Sequence, residues 1–160
     1  MSGDDYCLRQ PGSTELPFLK DFPEDFRYVL GLQEATVLGM AEGFAQGTGR
    51  AALVNLHTGP GLGNAMGAMI TAWHDKTPLV VTAGQQDRRH RSLEPLLTGK
   101  LVDLAKPYVK GSFEPVRAED VPGEIRRAYH TAMQQPQAVS SSRSRWTTGT
   151  QKQSRWKTTT

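Results

Sequence analysis

Two uninterrupted apolar runs constrain this chain most: Ala51–Leu56 (Ala-Ala-Leu-Val-Asn-Leu) and Pro78–Ala83 (Pro-Leu-Val-Val-Thr-Ala). Strands of this length without polar alternation are buried on both faces, as the strands of parallel sheets are. Between them lie a glycine-rich loop and a helical stretch, Leu62–Trp73. A strand, a helix and a second strand in succession predict a parallel pair joined by a crossover. The pattern continues on both sides. Phe26–Leu32 reads as a strand, Glu34–Gln46 as a helix with apolar residues on one side, and Leu93–Leu104 as a helix. Pro107–Ser112 reads as a short strand, and Glu119–Gln134 as a final helix that ends before Pro136. The predicted fold class is α/β, a mostly parallel sheet with helices on both faces.

The 160 residues are enough for one domain. They divide into a polar, mixed segment 1–10, an α/β body 11–137 and a tail 138–160. The tail is rich in Ser, Thr, Arg, Lys and Gln, with two Trp and no usable period. Such a composition buries too little surface to offset chain entropy, so the tail is predicted to be disordered. Charge follows the same division. The tail holds five basic residues (Arg143, Arg145, Lys152, Arg155, Lys157) and no acidic one. Removing those five from 19 Lys and Arg leaves 14 against 16 Asp and Glu, so the body is slightly acidic and the net +3 belongs to the tail. The body therefore offers no electrostatic footprint for nucleic acid. Trp146 and Trp156 among basic residues resemble a stacking surface only superficially. No apolar run is long enough for a membrane helix, and the N-terminus lacks a signal-peptide pattern. The lone Cys7 cannot form an internal disulfide, in keeping with a reducing cytoplasm.

Chemistry concentrates where strands hand over to helices, the position at which α/β proteins build their sites. Glu34 stands at the first such junction, where a carboxylate also suits the helix dipole. At the second, His57-Thr58-Gly59-Pro60-Gly61-Leu62-Gly63-Asn64 follows a strand and opens a helix. Its glycines permit close backbone approach. The spacing is not that of a dinucleotide fingerprint, because the next glycine is Gly67 and Pro60 interrupts the run. Asn64 reads either as a cap of that helix or as a lining of the site. Gly39, Gly43 and Gly47 share one helix face, each at a cost of roughly 1 kcal/mol relative to Ala. Close approach of another helix or subunit would explain all three. Trp73-His74 reads as packing and Arg88-Arg89-His90-Arg91 as solvated basic surface with a weak steering role.

Several separate motifs carry a resemblance: Pro11-Gly12-Ser13-Thr14-Glu15-Leu16, Leu32-Gln33-Glu34 with Gly39 and Gly43, Asn55-Leu56-His57-Thr58-Gly59-Pro60-Gly61 with Asn64, and Pro78–Gln86. Together they resemble the N-terminal, pyrimidine-binding domain of thiamine-diphosphate-dependent decarboxylases, in particular the benzoylformate type, over roughly Pro11 to Gln137. The resemblance implies a thiamine diphosphate cofactor, a 2-oxo-acid substrate and a homo-oligomeric parent. Glu34 matches the glutamate that hydrogen-bonds N1′ of the aminopyrimidine and favours the imino tautomer, whose 4′-nitrogen activates C2 of the thiazolium. His57 matches a proton-relaying histidine; without the motif it would read as a structural hydrogen-bonder. Ser13 matches a serine that engages the substrate carboxylate, and it reads equally as a helix cap. Gly59, Gly61 and Asn64 match cofactor-lining positions. No metal ligand is expected in this chain, since relatives hold Mg²⁺ and the diphosphate through a Gly-Asp-Gly…Asn motif in a further domain, and that motif does not occur here.

Both ends depart from the family. One set of codons for Ala138–Gly149, read two bases later, encodes Arg-Val-Phe-Leu-Ser-Ile-Pro-Met-Asp-Asp-Trp, which resembles the family's next strand. One set for Gly3–Gln10, read one base later, encodes Gly-Met-Thr-Thr-Val-Phe-Gly-Asn-Pro, which resembles its first strand and loop. The ends are thus predicted to be family strands translated out of frame, and the sheet to lack both. Three functions follow: the thiamine-diphosphate-binding part of a benzoylformate-like decarboxylase, inactive alone; a non-catalytic remnant of a disrupted gene; or the corresponding domain of an acetolactate-synthase-like carboligase.

Overall fold

The structure, a computed structural model, describes residues 5–10, 12, 15, 24, 26–86, 91–115 and 117–145. Its strands are β1 (Asp5–Gln10), β2 (Phe26–Leu30), β3 (Ala52–Leu56), β4 (Leu79–Gln85), β5 (Ser112–Phe113) and β6 (Ser140–Arg145). Its helices are α1 (Glu34–Thr48), α2 (Thr58–His74), α3 (Leu101–Ala105) and α4 (Val121–Met133). The six strands form one sheet in the order β2-β1-β3-β4-β6-β5, and every pairing is parallel. This is the predicted α/β class.

The two apolar runs form the centre, where β3 and β4 are buried along their whole lengths. Alternate residues feed opposite layers. Val54, Leu56, Leu79 and Val81 join Val37, Leu38 and Met69 of α1 and α2 in the larger core. Leu53 and Val80 join Cys7 and, from α4, Ala128 and Ala132 in the smaller one. Burial pushes the Cys7 thiol up in pKa, against the opposing pull of Arg9, whose Nε lies 2.8 Å from the sulfur.

Four expectations need correction. The tail expected to be disordered from residue 138 contributes β6, which lies between β4 and β5, and segment 1–10 contributes β1, between β2 and β3. The sheet therefore does not lack the two strands. A parallel ladder is made by main-chain groups, and each segment bridges a gap between strands already in place. Residues 146–160 lie outside the described set. The helix expected over Leu93–Leu104 is only a 3₁₀ turn at Arg91–Leu93 and the short α3. Pro95 separates Glu94 (φ 44) from Leu97 (φ 76), and neither backbone is helical. The strand expected over Pro107–Ser112 begins only at Ser112. α2 starts at Thr58 rather than Leu62, because Pro60 in a first helical turn forfeits no hydrogen bond.

Candidate active site

The site follows from the strand order. From β1 the chain first adds β2 on one side and then β3 on the other, so β1 and β3 diverge at a topological switch point. Crevices at the carboxyl ends of such strands bind ligands. Three segments converge there: the loop after β1 with Gly12 and Glu15, the start of α1 after β2, and the start of α2 after β3.

Glu34 is the first residue of α1. Gln33 caps that helix, its Oε1 accepting from the Thr36 N–H at 2.8 Å, which fixes the backbone from which Glu34 projects. The Glu34 side chain is 9% exposed. Its Oε2 accepts from Asn64 Nδ2 at 3.2 Å. Asn64 lies inside α2, so it is not the helix cap that its sequence position allowed; it joins α2 to Glu34. A Cβ at Gly61 would stand 3.1 Å from Glu34 Oε1 and 3.5 Å from His57 Cβ. Gly61 thus leaves open the ground between the carboxylate and the histidine.

His57 directly follows β3 and sits at the N-cap of α2, where its side chain makes no capping bond. Its Nδ1 instead lies 2.8 Å from Oε2 of the fully buried Glu15. A Cβ at Gly12 would overlap the imidazole ring, so only glycine permits this packing. The next residue, Thr58, is buried with φ 48, an uncommon left-handed conformation for a β-branched residue. Gly59 packs on the Gly99 backbone, and beside them an open groove of about 620 Å³ is lined by Gly59, Pro60, Leu97, Thr98 and Lys100 among others. The structure therefore unites Glu34, His57, Gly61 and Asn64 and places Gly59 at their edge. Ser13 and Arg88–His90 lie outside the described residues. Glu15 went unrecognised as a partner of His57; the only signal was its place in the same motif as Ser13.

Gly39, Gly43 and Gly47 face away from the rest of the described chain, with nothing within 4 Å of their Cβ positions. Among the described residues no group of three or more His, Cys, Asp or Glu could hold a metal ion. No helix there is long and apolar enough to cross a membrane. The donor set does fit a planar nitrogen heterocycle: a carboxylate acceptor, held from one side by an amide, opens onto space that a Cβ would fill.

Residues 2–114 match the family described as thiamine pyrophosphate enzyme, N-terminal TPP binding domain. The chain is 56% identical over 131 residues to benzoylformate decarboxylase of Pseudomonas aeruginosa, covering 80% of this chain and 24% of that protein. It is 28% identical over 132 residues to the acetolactate synthase large subunit of Haemophilus influenzae, covering 81% and 23%. Among solved structures, the thiamine diphosphate-dependent 4-hydroxybenzoylformate decarboxylase of Rhodococcus jostii RHA1 superposes with a TM-score of 0.83 at 49% identity, covering 86% of this chain and 26% of that one. The chain thus spans about a quarter of the length of the relatives it matches. It belongs to the thiamine pyrophosphate enzyme family, as an N-terminal TPP binding domain.

Proposed function

We propose that this chain supplies the pyrimidine half of a thiamine diphosphate site in a decarboxylase of aryl 2-oxo acids, benzoylformate being the reference substrate. The observation that carries the reading is Glu34, nearly buried, held by Asn64 and bordered by the side-chain-free Gly61. In that setting Glu34 accepts a hydrogen bond from the ring nitrogen of the aminopyrimidine. A charge-assisted bond of this kind is roughly twice as strong as a neutral one. Asn64 keeps the carboxylate turned toward the ring, and the Gly59 and Gly61 backbone lets the ring approach. His57 holds and passes a proton beside the reacting carbon, and Ser13 engages the substrate carboxylate. Bound thiamine diphosphate supplies the carbon nucleophile that adds to the 2-oxo group and takes up the electron pair left by departing CO₂.

In this reading Mg²⁺ and the diphosphate are held outside this chain, the working protein is a homo-oligomer, and it is cytoplasmic, in keeping with the reduced, buried Cys7. The test is calorimetric titration of the chain with thiamine diphosphate and Mg²⁺. Glu34→Ala should weaken binding at least about tenfold, the equivalent of 1.4 kcal/mol. Equal, saturating isotherms for the two proteins would remove Glu34 from the site. With benzoylformate added, the chain alone should release no CO₂; release would mean that it carries the complete site.

A further inference from the structure

Glu15 has no solvent exposure, and its surroundings define what it does. Among the described residues its Oε2 takes two contacts. The backbone N–H of Gly12 donates to it at 2.8 Å, and His57 Nδ1 lies 2.8 Å from it. The Glu15 N–H in turn donates to the Gly12 carbonyl at 3.2 Å, which closes the loop on itself. A carboxylate is acceptor-only, and Oε2 in that form accepts from both the Gly12 N–H and the ring. The proton between Oε2 and the ring therefore belongs to Nδ1. A neutral imidazole with its proton on Nδ1 has one basic nitrogen left, Nε2. The ring also lies against Gly12 so closely that no side chain could replace that hydrogen, which fixes its plane.

We propose that Glu15 is a positioning residue for His57: it holds the ring in the Nδ1–H tautomer and at a fixed angle, so that any proton the histidine gives or takes passes through Nε2. This rests on the reading of His57 as a proton carrier at the thiamine site. The physical demand is general. A histidine that must accept a proton at one nitrogen needs the other tied to an acceptor, and the chain meets it with a residue 42 positions away. Removing Glu15 would leave the ring free to adopt the Nε2–H form, with its lone pair turned toward the Gly12 loop.

The test is nitrogen-15 spectroscopy of the imidazoles of the full chain, with neutral rings and no cofactor. His57 is distinguished from the chain's other three histidines by its loss in His57→Gln. In the wild-type chain Nδ1 should give the protonated, pyrrole-type signal and Nε2 the unprotonated one. Glu15→Leu should move the majority of His57 to the opposite tautomer. Glu15→Gln, whose amide oxygen can still accept, should keep most of the wild-type pattern. A purely structural role for Glu15 would not separate the two variants in this way. A wild-type ring protonated at Nε2 would overturn the proposal without any variant, so failure of Glu15→Leu to fold does not shelter it. An unchanged His57 in folded Glu15→Leu would overturn it as well. The readout needs no thiamine diphosphate, so a wrong tautomer and a failure to bind the cofactor are told apart.

Discussion

The strands β3 and β4 differ from β1 and β6 in nearly everything except where they lie. All four are interior strands of one parallel sheet. β3 and β4 fill their positions with Leu, Val and Ala, apart from Asn55, Thr82, Gly84 and Gln85. β1 reads Asp-Tyr-Cys-Leu-Arg-Gln and β6 reads Ser-Ser-Ser-Arg-Ser-Arg. Arg9, Ser140, Ser141 and Ser142 are nevertheless buried. The register aligns a polar row across the sheet: Arg9 opposite Asn55, Asn55 opposite Thr82, and Thr82 opposite Ser142. Within that row Asn55 donates to Thr82 Oγ1 at 2.9 Å, and Thr82 donates to the Val54 carbonyl at 3.0 Å. Asn55 Oδ1 and Ser142 Oγ are buried without a partner among the described residues, at a cost of about 1–3 kcal/mol each. Main-chain geometry admits a strand wherever two neighbours leave a gap, whereas side chains decide what its presence is worth. β3 and β4 stabilise the sheet by apolar burial; β1 and β6 complete it with much less of that burial.

If this contrast is correct, truncation in the central strands should have the largest effect. Leu56→Ala removes a fully buried side chain of the main core and should cost about 2–5 kcal/mol, enough to unfold much of a marginally stable chain. Denaturant titration followed by circular dichroism would show it, and a loss below 1 kcal/mol would mean that the centre is not what holds the sheet. Next in size is a smaller loss. Ser141 borders a gap of only about 10 Å³ with Leu62, Val81, Ala83 and Leu101. Ser141→Leu overfills it and should cost about 1–3 kcal/mol, read as a lower denaturation midpoint. A gain would show that β6 has room for a large apolar side chain. Ser142→Ala, which deletes an unpartnered buried hydroxyl, should be neutral or stabilising by about 1 kcal/mol, the opposite sign to a truncation in β3. The smallest effect concerns pH. Glu42 is raised in pKa by burial first and by the neighbouring Asp75 carboxylate second. A raised carboxyl favours folding while protonated, and that contribution is lost as pH rises through its folded-state pKa. Glu42→Gln should raise the Tm slightly at neutral pH and leave it unchanged in acid; an equal shift at both would point to packing instead.

The site was legible in part, for a local reason. Glu34 and His57 each follow an apolar strand and open a helix, and that handover is written in adjacent residues. Their partners were not legible. Asn64 could be read as a cap because a cap and a residue one turn into a helix look alike until Pro60 is placed inside the first turn. Glu15 meets His57 only because β1 lies beside β3, and the polar sequence of β1 gives no sign that it is an interior strand. Gly39, Gly43 and Gly47 were expected to meet another helix or subunit, and the described chain puts nothing against them. The interrupted helix before α3 follows from Pro95 and two left-handed residues beside it, a local break that apolar periodicity conceals.

Local sequence settled the α/β class, the central strands, the helices that cover them and the two strand-to-helix junctions that hold Glu34 and His57. Each of these depends on side-chain periodicity or on a turn residue within a few positions. Strand order, the inclusion of β1 and β6, and the meeting of Glu15 with His57 and of Asn64 with Glu34 came only with the assembled fold. They depend on main-chain pairing between segments far apart in the chain, and the hydrogen bonds that make such pairs do not record which side chains they carry.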